Sequence, residues 1–468
     1  MLPKTLKYGS KVESAMAKSS RVNIAPQNGT GPYYLGDTII FNLPTRNNLV
    51  MATTESYLKF QIAITSLAAN NVFRWDSCGA HGCIQRIRIF HGSNLLQDID
   101  NYGLLAKILF DLQQPTDSTY GKETMLCGTR SDLVVTTPTV AAVADISAKA
   151  MPAYQINSGE RVGGDRVALA AANAVLTEVY CLNLLSLIGS LSSSNYLPLF
   201  AMTSAPLRCE ITLVDSLYKG CSDLTSNSSA TSGTIQLTNV EYVANFIELG
   251  DQAMSVIYGS LEGQPLQYCV PDFRNYQFTY SIPDATATQV TMPIPAKFSS
   301  LKSIITTSRD KGSGIWGGFF PFSSVTCGLK DYQFRIGSTI IPPKAPATNA
   351  EFFCEALKAM GSIADLNYTP SIDKSSYAMS ASAASNDSAT VVSSNSSGAF
   401  YIGLDLENYC ASPKDTIFAG YNSNTDDIFL QMNYNAVTRG AALNIRWDSF
   451  ASFDSVLVFE NNSAYVKF

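Results

Sequence analysis

An ordered repeat restricts this chain more than any other feature of its sequence. The alternating run Ile87-Arg-Ile-Phe-His91 leads into Gly92-Ser93-Asn94-Leu95-Leu96 and then a helical pattern from Tyr102. Far downstream, Tyr332-Gln-Phe-Arg-Ile336 leads into Gly337-Ser338-Thr339-Ile340-Ile341 and a second helical pattern from Asn349. Subtracting residue numbers, Gly337 stands 245 positions after Gly92. Leu207–Leu213 and Leu443–Trp447 echo each other at an offset of 236. Each is followed by one more aromatic-rich strand, Val240–Leu249 and Ser455–Glu460. Order and spacing are both kept, which reads as two copies of one β unit, each roughly 200 residues long.

Within each copy the hydrophobic period is two. Ser56–Thr65 puts Leu58, Phe60, Ile62 and Ile64 on one face, and Ile84–Phe90 does the same through Ile87 and Ile89. Further strands are expected at Val175–Leu182, Leu207–Val214, Val240–Leu249, Tyr276–Ile282, Val290–Ile294 and Leu301–Thr307. Others follow at Tyr332–Ile336, Phe400–Leu406, Ile428–Tyr434, Leu443–Trp447 and Val456–Glu460. Two segments carry a helical stripe instead. Tyr102–Gln113 aligns Leu105, Ile108, Leu109 and Leu112, with Asp100 or Asn101 as N-cap. Asn349–Met360 aligns Phe352, Phe353, Ala356, Leu357 and Met360, with Asn349 ahead of Glu351.

Each copy thus has about eight strands and one helix, and eight antiparallel strands in two facing sheets make a jelly roll. The expected fold is all-β, two consecutive eight-stranded jelly rolls with short helices and long loop insertions. The divisions are a basic N-terminal arm at 1–20, jelly roll 1 at 21–255 and jelly roll 2 at 256–468. The join lies in Gly250–Asn275, which holds Gly259, Gly263, Pro265 and Pro271. The insertions Ser131–Ala172 and Tyr377–Ser397 are low in charge and long enough to be functional or to grip a neighbour.

Composition narrows the function. Only 15% of residues are charged, against about 25% in ordinary proteins. The outside must then be neutral and polar, or buried against other chains. A net charge of −6 argues against duplex binding. Two histidines, His81 and His91, leave little room for imidazole chemistry. No histidine follows His91, so a Gly-x-Ser-x-Gly elbow would have no downstream base.

Gly312–Gly318 lacks the Lys-Ser/Thr of a phosphate loop and reads as a turn. Asp98 with Asp100, and Asp426 with Asp427, sit where capping is the commoner role. Trp75, Trp316 and Trp447 could stack on sugars but suit a sandwich core better. The ten cysteines are scattered, contain no Cys-x-x-Cys, and read as reduced structural residues. No catalytic, cofactor or metal residue is therefore expected. No apolar run is long enough for a membrane helix, and Met1–Ser20 has no apolar signal core, so secretion is not expected. That segment does carry Lys4, Lys7, Lys11 and Lys18, followed by Arg21, against a single acid, Glu13. It reads as a solvated terminus or as an arm that meets a polyanion or a neighbouring chain.

Several of these residues carry a family likeness. Tyr57-Leu-Lys-Phe60, Ile87–Phe90, Gly92-Ser93 and Asp98-Ile-Asp-Asn-Tyr102 resemble the first roll of double jelly-roll major capsid proteins. The pattern is closest to those of small eukaryotic double-stranded DNA viruses, the Polinton-like, adintovirus and virophage group. Asn195-Tyr-Leu-Pro-Leu199 before Leu207–Leu213, and Trp447–Phe450 through Phe453–Phe459, are similar to later parts of the same proteins.

The resemblance implies a virion protein that self-assembles as homotrimeric, pseudo-hexagonal capsomers of an icosahedral shell. Its partners would be itself, penton and minor capsid proteins, and genome or inner membrane. Loops would face outward, and the arm with Lys4, Lys7, Lys11, Lys18 and Arg21 would face inward. The rival readings are a carbohydrate-binding or carbohydrate-cleaving β-sandwich protein and a secreted adhesin.

Overall fold

The structure is a computed structural model. It describes residues 17–29, 31–66, 71–128, 167–169, 175–192, 196–216, 219–223, 228–229, 233–261, 263–310, 321–361, 363, 370–372, 374–378, 398–408, 419–438 and 440–467. Lys4, Lys7, Lys11, Gly312–Gly318 with Trp316, and most of both long insertions lie outside the described residues.

Eight strands of the first half, joined by the short strands Tyr33–Tyr34 and Leu49–Met51, form two sheets. They are β1 (Ala17–Ile24), β2 (Thr38–Leu43), β3 (Tyr57–Ser66), β4 (Ile84–His91), β5 (Asn94–Asp100), β6 (Val175–Leu182), β7 (Leu207–Leu213) and β8 (Gly233–Leu249). One sheet runs β1-β8-β3-β6 and the other β2-β7-β4-β5. The second half supplies β9 (Leu266–Ile282), β10 (Thr288–Ile294), β11 (Leu301–Asp310), β12 (Leu329–Ile336), β13 (Thr339–Ile341), β14 (Tyr401–Asp405), β15 (Ile428–Tyr434) and β16 (Leu443–Glu460). Its sheets run β9-β16-β11-β14 and β10-β15-β12-β13. Every label is raised by eight, so the second half repeats the strand order of the first. Each half is a jelly roll. A last strand, β17 (Ser463–Lys467), adds to the end of β16. Short strands at Asn71–Trp75, Val167–Leu169, Cys221–Asp223 and Ser228–Ser229 form a small extra sheet.

Alternation explains the burial. In β7 the side chains of Leu207, Cys209, Ile211 and Leu213 point inward, and in β15 those of Ile428, Leu430, Met432 and Tyr434 do. Period two puts successive side chains on opposite faces, so one face meets the core and the other does not. The paired Gly-Ser steps are two-residue hairpins between β4 and β5 and between β12 and β13. Gly92 has φ 58° and Gly337 φ 56°, while the serines are not in the left-handed region. Gly at the first turn position with positive φ is the type II′ requirement, and that twist suits an antiparallel pair. Helix α1 (Tyr102–Gln113) follows β5, helix α2 (Asp251–Ser260) joins the rolls, and helix α3 (Asn349–Lys358) follows β13.

Several expectations need correction. The counterpart of β7 is β15, at an offset of 221, the difference between 428 and 207. Leu443–Trp447 instead opens β16, and Val456–Glu460 closes it as one 18-residue strand. A period of two is common to all strands, so the pattern alone cannot say which strand is which. Tyr276–Ile282 is the end of a 17-residue β9, and β1 and β2 carried too weak a pattern to be marked. Asn101 is the N-cap of α1, but it is left-handed and makes no side-chain cap bond. The N-cap of α3 is Thr348, which shares a capping box with Glu351, so Asn349 is the first helical residue.

Candidate functional site

The chemistry of this chain is concentrated in the joint between the two rolls. Helix α1 is apolar nearly all round, and a helix of that kind is stable only when enclosed. Every residue from Tyr102 to Leu112 is buried, including Lys107 and Asp111. Lys107 Nζ lies 2.9 Å from Asp111 Oδ2 and 3.3 Å from Asp76 Oδ1, and it donates to Ser77 Oγ at 2.8 Å. The two carboxylates also hold the second roll. Asp76 Oδ2 accepts the Phe322 N–H at 3.0 Å, and Asp111 Oδ2 accepts the Tyr401 hydroxyl at 2.8 Å. One lysine thus neutralises two acids that fasten roll 1 to roll 2.

Four more contacts extend the seam. Asp448 on β16 takes Arg309 Nη2 at 2.6 Å and Arg446 Nη2 at 2.9 Å, and accepts Asn101 Nδ2 from roll 1 at 3.1 Å. Gln97 Nε2 on β5 donates to Asp272 Oδ1 on β9 at 2.9 Å. His91 Nδ1 accepts the Ala464 N–H at 3.1 Å, so Nε2 carries the proton that faces the Met202 carbonyl. Asn94 Nδ2 donates to the Ala464 carbonyl at 3.0 Å, so the Gly92 hairpin holds both backbone polar groups of Ala464.

The apolar cores merge at the same place. Phe322, Tyr401, Phe450, Leu457 and Phe459 of roll 2 belong to the cluster that fills roll 1. An apolar core shared across the joint disfavours hinging of one roll against the other.

The titrating groups here are tuned by burial. Asp272 is pushed up to about 7 by desolvation, against the lowering bonds from Gln97 and the Phe273 N–H. Burial lowers His81 to about 3 while its Nδ1 lies 3.0 Å from the Tyr102 hydroxyl. Burial raises the thiols of Cys78 and Cys83 and pushes Cys209 up to about 12. The imidazole and the thiols thus stay in their neutral forms, as suits packing rather than nucleophilic attack. Among the described residues, no group of three or more His, Cys, Asp or Glu side chains could hold a metal ion.

The sequence-marked residues are spread apart. Lys18 and Arg21 lie on β1, whose residues Ala17–Ile24 pair antiparallel with Leu249–Tyr242. Arg21 sits over the Tyr57 ring at 5.7 Å. The strand therefore begins inside the segment expected to be an arm. Asp98 is held by Arg86 through two bonds of 2.7 and 2.6 Å, and Asp100 accepts Gln85 Nε2, so neither caps a helix. Asp427 pairs with Lys297 at 2.8 Å, and Asp426 accepts the Tyr421 hydroxyl. Trp75 and Trp447 are buried, with Trp75 Nε1 donating to Tyr180 at 2.9 Å. Sequence reading passed over Lys107, Asp272 and Asp448. Their one local signal was charge inside an apolar run, as in Leu104-Leu-Ala-Lys-Ile-Leu-Phe-Asp111.

No family model matches this sequence, and no curated protein matches it either. Solved structures do match. The Faustovirus major capsid protein superposes with a TM-score of 0.60 at 10% identity, covering 97% of this chain and 92% of that one. The mavirus major capsid protein gives 0.56 at 9% identity, covering 100% and 95%. The PBCV-1 virus capsid gives 0.59 at 10% identity, covering 99% and 100%. Together with the repeated strand order, these decide the fold.

The chain is a double jelly roll.

In this double jelly roll the helix after the fifth strand of each roll occupies the same topological slot. The first, α1, is buried along its length and meets the opposite roll through Phe322 and Tyr401, whereas α3 keeps an open face. The difference sets out which surfaces the chain has used within itself.

Proposed function

We propose that this double jelly roll is the major capsid protein of a double-stranded DNA virus. It acts by self-association into homotrimeric, pseudo-hexagonal capsomers of an icosahedral shell, and it is not an enzyme. The observation that carries this reading is a fold shared with capsid proteins over nearly the full length of the chain. The apolar core shared between the rolls supports it, because a shell tile must transmit load without hinging. Low charge supports it too, since large obligate interfaces exclude unpaired charge.

The proposed units are an arm at 1–20 and rolls at 21–255 and 256–468, with the boundary inside α2. Lys4, Lys7, Lys11, Lys18 and Arg21 are the proposed inward contacts to genome, membrane or a minor capsid protein. Trp75 and Trp447 are enclosed in the core, which removes both as sugar-stacking surfaces. Native mass measurement and electron microscopy of the purified chain test the proposal. The expected result is a three-chain species that builds closed shells. A chain that stays single at every concentration refutes it.

A further inference from the structure

Helix α1 carries an amine against two carboxyls in a site closed to water. The side chains of Lys107 and Asp76 have no exposed surface, and that of Asp111 has 1%. Lys107 Nζ reaches three oxygens: Ser77 Oγ at 2.8 Å, Asp111 Oδ2 at 2.9 Å and Asp76 Oδ1 at 3.3 Å. An ammonium so enclosed forgoes its hydration, and attraction to the carboxylates does little more than offset that loss. Two groups that can condense to a neutral amide are therefore held in contact where their charged forms are least favoured.

The two carboxyls are held differently. Asp76 accepts backbone N–H groups on both oxygens, from Ser77 on Oδ1 at 2.7 Å and from Phe322 on Oδ2 at 3.0 Å. Fixed N–H donors of this kind stabilise the charge that gathers on a carboxyl oxygen when its carbon is attacked. Asp111 accepts the Tyr401 hydroxyl on the same oxygen that faces Nζ, at 2.8 Å, which suits a group that takes and returns a proton. Roll 2 supplies Phe322 and Tyr401, so the set is complete only when the rolls have docked. Phe322 is seated closely, since a Cβ on Gly103 of α1 would lie 2.7 Å from its ring.

We propose that Lys107 and Asp76 condense to an intramolecular isopeptide bond, with Asp111 as the catalytic base and acid. Nζ passes one proton to Asp76 Oδ1, which leaves its lone pair aimed at a neutral carboxyl. The 3.3 Å contact lies within the roughly 3–3.5 Å of a near-attack arrangement. Nζ attacks Cγ and forms the N–C bond while the Phe322 N–H holds the charge on Oδ2. Asp111 takes a second proton from the nitrogen and delivers it to Oδ1. The Cγ–Oδ1 bond breaks, one water leaves, and Asp111 is again a carboxylate. The third N–H, donated to Ser77 Oγ, remains as the amide hydrogen. No oxidant, reductant or co-reactant enters.

The bond ties α1 to the segment ahead of β4, 31 positions away by subtraction of 76 from 107. A covalent tie restricts the unfolded chain as a disulfide does, and an amide is not opened by reduction. It fixes the helix on which roll 2 is seated, and it forms only after roll 2 has supplied Phe322 and Tyr401. The bond does not depend on assembly of the chain into capsomers.

The test is the intact mass of the purified full-length chain. The folded protein is expected to weigh one water less than its sequence, and a protease digest should yield a branched peptide joining Asp76 to Lys107. Lys107→Arg keeps the cation but cannot make the bond, so it should show the full sequence mass. Asp111→Asn removes the proton transfer at nearly constant shape. Condensation should slow about a hundredfold, leaving that variant mostly at the full mass. The mass of the parent chain needs no variant, so a substitution that fails to fold does not shield the bond from refutation. A parent chain at full sequence mass, or a lost water that maps to another pair of residues, overturns the proposal. An Asp111→Asn chain found wholly at the lighter mass overturns the role of Asp111.

Discussion

Asp272 gives the sharpest prediction. Its carboxyl is buried on β9 against roll 1, accepting from Gln97 Nε2 and the Phe273 N–H. The charged groups nearest in effect are Arg274, which lowers its pKa, and Asp98, which raises it, but burial dominates and lifts it to about 7. The folded state therefore keeps a proton that the unfolded chain releases near 3.8. Stability from this group is fully present below the unfolded value and is lost as pH rises through about 7.

A shift of about 3 units at 1.36 kcal/mol each makes the loss about 4 kcal/mol by about pH 8. Asp272→Asn removes the titration while its Oδ1 can keep both accepted bonds. The new amide N–H₂ costs about 1–3 kcal/mol if it finds no acceptor. The variant is expected to be less stable than the parent near pH 4 and at least as stable near pH 8. The difference between them should climb by about 4 kcal/mol over that range. Thermal or urea melts of both proteins at several pH values measure this. Parallel stability curves from about pH 4 to about pH 8 would refute the reasoning.

Two further outcomes follow from the seam and the terminus. Lys107→Met leaves Asp76 and Asp111 buried without their cation, which should cost about 3–5 kcal/mol. Calorimetry of the parent and the variant at about pH 7 measures the loss. An unchanged melting temperature would mean the cluster contributes nothing to the joint. Removal of residues 1–16, which spares β1, should lower the yield of closed particles more than that of trimers. Sedimentation of both species checks this, and equal particle yields would count against an inward-facing arm.

Alternation determined that this chain makes strands and which side chains point inward. The Gly92-Ser93 and Gly337-Ser338 turns were legible because only glycine takes their left-handed φ without strain. These are local rules, and a window of ten residues carries them. Identity of strands was not local. Leu443–Trp447 looked like the partner of Leu207–Leu213 because any half-buried strand alternates, and only the sheet order assigns that place to Ile428–Tyr434.

The joint was further from view. Lys107, Asp272 and Asp448 are residues that sequence rules send to the surface. Their burial depends on partners far away in the chain: Asp111 meets Tyr401 at a separation of 290 and Asn101 meets Asp448 at 347. Helix α1 and helix α3 came from one repeat and share a topological slot. Only tertiary structure decided that one would be enclosed and the other left half open, because enclosure is supplied by neighbours distant in the chain and not by the helix itself.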